Sequence, residues 1–271
     1  MKSKKDSLGD RMKEFYEKRS KTYLTRRVPV IIRLDGKAFH TFTKKFKKPY
    51  DKIFHEAMDA TMKYLCENIQ GCKLGYTQSD EITLLLTDYD SISTDAWFGY
   101  SVQKMCSVAA SMATLVFNNE LYNCWTRDSM DEDNSVSYLE DVYSAIVKGA
   151  MFDARCFNIP KDEVANCFIW RQKDATRNAI QMLGQLCFSH NEIDKKSQND
   201  IQDMLMTQKG INFNDMPVKF KRGVCCYKTE QERIDVDFET KEEVRSLGST
   251  WVLDYDIPIF TQDRHYIERF I

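Results

Sequence analysis

The stretch Val30-Ile31-Ile32-Arg33-Leu34-Asp35-Gly36 constrains the fold most, because a short apolar run rich in β-branched residues reads as a buried strand, here residues 28–35. A helix follows in DKIFHEAMDATMKYLCENIQG, where Phe54, Met58, Met62, Leu65 and Ile69 recur at spacings of three and four. Asp51 can cap its start and Gly71 can end it. CKLGYTQSDEITLLLTD reads as two strands about a tight turn at Gln78–Ser79–Asp80. STDAWFGYSVQKMCSVAASMATLVFNN is a second helix, with an Ala/Ser-rich centre suited to close packing on a sheet, and AMFDARCFNI resumes as a strand. Strand–helix–strand–strand–helix–strand is the order of an α+β, ferredoxin-like antiparallel sheet with helices on one face.

Additional elements flank this unit. SLGDRMKEFYEKRSKTYL predicts an N-terminal helix with Met12, Phe15, Tyr16 and Tyr23 as its apolar stripe. Residues 119–146 are polar and acidic and predict loops with a short helix. KDEVANCFIWRQKDATRNAIQMLGQLCF predicts a long helix after Pro160, and QNDIQDMLMTQKG another, closed by Gly210. The end is strand-like in RGVCCYK, RIDVDF and STWVLDYDIP. This divides the chain into a catalytic unit, residues 1–228, and a C-terminal β extension, residues 229–271, packed on it.

The charge balance limits what the chain can bind. Lys+Arg number 39 against 41 Asp+Glu, a net charge of −2, far from the basic excess of a nucleic-acid coat protein. Any nucleic acid must be met by local patches, and residues 37–48 are basic where residues 128–141 are acidic. No apolar run is long enough for a membrane span, and the lysines of MKSKK precede no apolar stretch of a signal peptide. The nine cysteines are scattered without a CxxC pair, which points to reduced thiols in a cytoplasmic protein rather than to disulfides or zinc.

Asp35 ends the first strand, and Asp80 and Glu81 sit at the hairpin. In a strand–helix–strand unit the end of one strand can face the turn of the other. Two carboxylates meeting there repel unless a cation joins them. Aspartate oxygens with a backbone carbonyl suit Mg²⁺, and Gly36, having no side chain, can bring its carbonyl close. Two such ions could hold the attacking and leaving oxygens of a phosphoryl displacement. The pattern also fits ordinary turn and cap aspartates, the commoner use of the residue. The basic run after Gly36 favours the metal, because Lys37, His40 and Lys48 could neutralise a triphosphate. In FIWRQKDATRN, Trp170 could stack on a base, and Arg171, Gln172, Lys173, Arg177 and Asn178 could reach RNA phosphates. A partly buried tryptophan ringed by Arg–Asp pairs fits the same pattern. His55 and His190 lack ligand-like neighbours and read as structural, and no P-loop, HExxH or GxSxG motif is present.

RLDGKAFHTF, KPYD, QSDE, FDAR, WRQKDATRN and INFNDMPVKFKRG stand in the order found in the tRNA-histidine guanylyltransferase family, and the chain resembles that family over roughly residues 28–224. The eukaryotic members have a His-Ile-Asn-Asn run where this chain has ATRNA. Thr176 replaces the histidine and Asn178 remains, which resembles the bacterial and archaeal guanylyltransferase-like branch. The resemblance implies a palm-like fold and a 3′–5′ polymerase that adds nucleotides to the 5′ end of tRNA and repairs 5′-truncated tRNAs. It implies ATP and NTP or GTP as substrates, two Mg²⁺ ions on Asp35, Gly36 and Asp80, and catalytic roles for Asp35, Asp80 and Glu81. It further implies nucleotide contacts from Asp35, Gly36, Lys37, Ala38, Phe39, His40, Lys48, Ser79 and Asp80, and a homotetramer. The competing readings are a guanylyltransferase dedicated to histidine tRNA, a non-catalytic RNA-binding module and a nucleotide cyclase on the same core.

Overall fold

The computed structural model describes residues 7–131, 134–236 and 243–271. Its elements in chain order are α1 (Leu8–Met12), β1 (Val30–Gly36), α2 (Phe39–Phe42), α3 (Lys52–Asn68), β2 (Cys72–Gln78), β3 (Glu81–Leu86), α4 (Val102–Asp128) and α5 (Val136–Lys148). There follow β4 (Phe152–Asn158), α6 (Lys161–Cys187), α7 (His190–Ile193), α8 (Gln198–Lys209), α9 (Val218–Arg222), β5 (Val224–Val236), β6 (Glu243–Asp254) and α10 (His265–Glu268). The strands form one sheet in the order β4-β1-β3-β2-β5-β6, and every pairing is antiparallel. The first four strands in that order are the ferredoxin-like unit predicted by the element sequence; β5 and β6 extend it beyond β2.

Strand alternation assigns the two faces. Ile32 and Leu34 of β1 and Ile82, Leu84 and Leu86 of β3 point to one side, where α3 and α4 cover them. On α4 the buried residues Met105, Ala109, Ala113, Phe117 and Leu121 recur at every fourth position, and the two alanines let the helix lie close to the strands. Ile31, Leu74, Tyr76 and Leu85 point to the other side. There the additions to the unit cover the sheet: Val164 and Phe168 of α6, with Ile257, Phe260 and Ile267 from the chain after β6. The far half of α6 leaves the sheet and packs Ile180 and Leu183 against Ile201 and Leu205 of α8. Asp51 caps α3 through its bond to the Phe54 N–H, as expected.

Some elements differ from expectation. Residues 119–128 are not loop but the end of α4, where Leu121 and Cys124 keep the buried spacing while polar residues fill the outer face. RGVCCYK and RIDVDF join in the single strand β5, except that residues 237–238 lie outside the described residues. The boundary expected at 228/229 falls inside β5. The N-terminal helix is short and continues into irregular helical turns as far as Ser20, and Met12, Phe15, Tyr16 and Tyr23 are exposed. Among the described residues no helix is long and apolar enough to cross a membrane.

Candidate active site

The end of β1 and the β2–β3 hairpin meet at the sheet rim. Asp35 stands opposite Glu81, and the Gly36 N–H donates to the Asp80 carbonyl at 3.1 Å. The hairpin closes through Ser79 with φ +53°, and the chain after Gly36 turns through Ala38 with φ +57°. Left-handed backbone at two non-glycine residues costs roughly 1–2 kcal/mol each and is the kind of strain that collects at functional sites. Burial pushes the Asp80 carboxyl above its ordinary value; its own backbone N–H opposes this, and the negative charge of Asp35 adds to the rise. Two carboxylates in mutual repulsion where water is scarce are a donor set that a divalent cation relieves. Among the described residues no group of three or more His, Cys, Asp or Glu could hold a metal ion. A pair of aspartates and a carbonyl suits Mg²⁺, which keeps several positions for water and phosphates. At Gly36 a Cβ would come within 2.3 Å of the Phe39 ring, so only glycine lets the turn close on that ring.

Beside the pair opens a cavity of about 380 Å³. Phe39, His40 and Lys48 line one side, Ser79 and Asp80 another, and Asn178 of α6 a third. The structure thus brings together five of the expected nucleotide contacts and one residue expected to meet RNA. Lys37, like Asp35, Gly36 and Ala38, lies outside the cavity wall; it is exposed, and its N–H donates to the Met151 carbonyl at 2.8 Å, ahead of β4. Lys44 and Lys47 stand in the wall instead. Lys45 is tied to Asp141 at 2.6 Å, and Asp51 pins the loop by accepting from the Lys47 N–H and the Tyr138 hydroxyl. His55, read from sequence as structural, also lines the cavity. Its ring lies 4.2 Å from that of Tyr50 and nearly parallel to it. Burial first, then the charges of Lys219 and Lys48, lowers its pKa to about 3, so it is a neutral wall. The only local signal was the aromatic partner five residues before it.

Helix α6 separates the residues expected to bind RNA, because successive residues turn about 100° around its axis. Gln172 is turned inwards from the expected RNA surface. It is buried, its amide donates to the Pro258 carbonyl at 2.9 Å and its oxygen accepts from the Phe260 N–H at 2.8 Å, so it ties down the C-terminal segment. Arg171 donates from Nε to Glu81 at 2.5 Å and from Nη2 to Asp174 at 3.1 Å. Glu81 is therefore held towards α6, outside the cavity wall, and burial raises its pKa while the Arg171 charge opposes the rise. Arg177 pairs with Asp174. Lys173 borders a separate cavity of about 480 Å³ with Lys221 and Arg222, and Trp170 is exposed.

A ferredoxin-like sheet whose first strand and hairpin place two aspartates beside a cationic cavity of nucleotide size defines a nucleotidyltransferase of the palm class. Residues 9–160 match the tRNAHis guanylyltransferase family, and the chain belongs to it. A bacterial tRNA(His) guanylyltransferase-like protein solved in complex with ATP is 42% identical, with a TM-score of 0.78 over 98% of this chain and 99% of its own. A bacterial protein of the same description in complex with GTP is 41% identical, with a TM-score of 0.76 over the same shares. The tRNA(His) guanylyltransferase of Saccharomyces cerevisiae is 25% identical over 208 residues, 72% of this chain and 80% of its own length.

Proposed function

We propose that this chain extends the 5′ end of tRNA in the 3′–5′ direction by copying the opposite strand of the acceptor stem, and so repairs 5′-truncated tRNAs. The observation that carries the reading is Asp80 in the wall of a lysine-lined cavity, with Asp35 at the end of the neighbouring strand near enough for its charge to act on Asp80. The similar bacterial proteins in complex with ATP and GTP support nucleotides as its ligands. In this reading the 5′-monophosphate of the RNA attacks the α-phosphorus of ATP and pyrophosphate leaves. The 3′-hydroxyl of an incoming NTP then attacks the activated phosphorus and AMP leaves. Lys44, Lys48 and His40 hold phosphates in the cavity, Phe39 walls it, and Ser79 and the backbone from Gly36 to Ala38 shape its rim. Asp35, Asp80 and the Gly36 carbonyl would hold Mg²⁺. Bound there, the metal would acidify the attacking hydroxyl and steady the departing phosphates. Watson–Crick pairing within the RNA supplies the template, so the protein need only read stem shape and backbone, as a net charge of −2 allows.

A dedicated histidine-tRNA guanylyltransferase is the second reading. Thr176 weighs against it: standing where the eukaryotic histidine falls, it donates its hydroxyl to the Lys221 carbonyl at 2.9 Å and serves packing. The nine cysteines, none in a disulfide, fit a cytoplasmic protein, and in this reading the chain assembles as a homotetramer. The test is a labelled, 5′-shortened non-histidine tRNA incubated with ATP, the four NTPs and Mg²⁺. Templated extension is expected; addition of guanosine to histidine tRNA alone would sink the repair reading.

A further inference from the structure

We infer that the sheet surface next to Asp35, built from Arg33, Arg155 and Trp170, seats the 5′ end of the RNA. Its guanidinium groups take the terminal phosphate, and the indole stacks on the first base. The inference rests on the reading of Asp35 and Asp80 as the transfer centre.

The strand period puts Arg33 on the same face as Asp35, one repeat or roughly 7 Å along β1. Across on β4, Arg155 stands opposite Arg33 and Asp153 opposite Asp35. The charges of Asp35 and Glu81 both act on Arg155, after its direct bond to Asp153, and the charge of Arg33 acts on Glu81. These groups therefore share one patch. Within it the Arg33 Nε is buried and has no hydrogen-bond partner. Glu81 Oε2 stands 3.9 Å away, while Oε1 of the same carboxylate is taken by Arg171 at 2.5 Å. A buried charged donor in a long ion pair but without a hydrogen bond is costly, and such a group in a native protein calls for an explanation. A planar guanidinium fork with unused donors matches phosphate oxygens. Above it Trp170 is 52% exposed, with the Arg33 guanidinium 5.3 Å and the Arg171 guanidinium 4.5 Å from its ring centroid. An indole held by flanking arginines and open to solvent offers its plane to a base.

Position sets the ligand. None of Arg33, Asp35, Arg155 and Trp170 lines the cavity formed by Lys48, Ser79 and Asp80. A reaction that joins a nucleotide to an RNA end needs the two on either side of the carboxylates that act on both. With the nucleotide in the cavity, the RNA end comes to the open side.

The test is equilibrium binding of an acceptor-stem hairpin bearing either a 5′-phosphate or a 5′-hydroxyl, without nucleotide, read by fluorescence anisotropy. The native protein is expected to prefer the phosphate about tenfold, the worth of one charge-assisted hydrogen bond. Arg33→Gln should bring the preference near one, and Arg33→Lys should restore part of it. Arg155→Gln, on the edge strand and half-exposed, should reduce the preference without disturbing the core. Trp170→Ala should weaken both hairpins alike. A phosphate preference that survives both glutamine variants, or equal weakening of the two hairpins by them, overturns the inference. So does a loss of affinity for free ATP with the RNA preference intact, which would assign the arginines to the activating nucleotide. No catalysis is needed for the readout, so a protein that shows the preference and never extends tRNA would sink the transfer reading alone.

Discussion

Asp80 and His55 show how single residues divide chemistry from stability at this site. Asp80 is pushed towards its neutral form by burial and by Asp35, so Asp80→Asn removes a repulsion from the fold while, in the function proposed above, it removes a metal ligand. Thermal unfolding should stay at or above the native midpoint, while nucleotide transfer falls about 10³-fold or more, the worth of several kcal/mol of metal-borne charge stabilisation. Transfer within tenfold of native would remove Asp80 from the centre. His55 has a folded-state pKa of about 3, below its unfolded value of about 6.5. The unfolded chain therefore takes up the proton first. His55 favours the fold above that unfolded value, and its contribution is lost as pH falls towards the folded value. Between pH 7 and pH 5 this amounts to at most about 2 kcal/mol, less to the extent that water reaches the ring. Urea unfolding at the two pH values should show a larger loss for the native protein than for His55→Gln; equal losses would mean the ring is protonated in the fold. The meeting of the end of β1 with the β2–β3 turn was legible in the sequence because strand ends and two-residue turns are set locally. The contact of the Lys37 N–H was not, since it is made to the Met151 carbonyl, ahead of β4 and more than a hundred residues away.

Helix α6 is the element on which the site and the fold are coupled. Its first half lies on the sheet through Val164 and Phe168, its second half on α8 through Ile180 and Leu183, and the polar stretch between them borders the site. The periodicity made the helix itself plain, but a contiguous motif on a helix faces several directions, and only the neighbours decide which direction binds RNA. Gln172 is the clearest case. Both ends of its amide are spent on Pro258 and Phe260. Gln172→Ala should leave those buried backbone groups unpaired and cost about 1–3 kcal/mol in urea unfolding. It should also expose residues near Phe260 to limited proteolysis, with tRNA affinity at low temperature within twofold of native. A large loss of tRNA affinity at unchanged stability would return Gln172 to the RNA surface. The same reasoning explains α4. Its extension to Asp128 was hidden because polar residues on the outer face masked a four-residue spacing that continues through Leu121.

At the scale of the whole molecule the unresolved term in the energetics is the N-terminal segment. Leu8, Met12, Phe15 and Tyr16 are all more than two-fifths exposed, although the segment as far as Ser20 is helical in turns. Four large apolar side chains this close in sequence gain little by facing water. A patch of this kind marks an interaction surface. In the homotetramer proposed above a second copy of the chain would be the partner, and burial between copies would make stability depend on protein concentration. Light scattering should give a multimer for the native protein and a smaller species for Phe15→Ser with Tyr16→Ser. The native midpoint of thermal unfolding should rise with concentration, and that of the double variant should rise less. The cavity and the Asp35–Asp80 pair lie within one chain, so nucleotide binding by the smaller species should match the native protein. A multimer unchanged by the two substitutions would detach this segment from assembly and leave its exposed residues to some other partner.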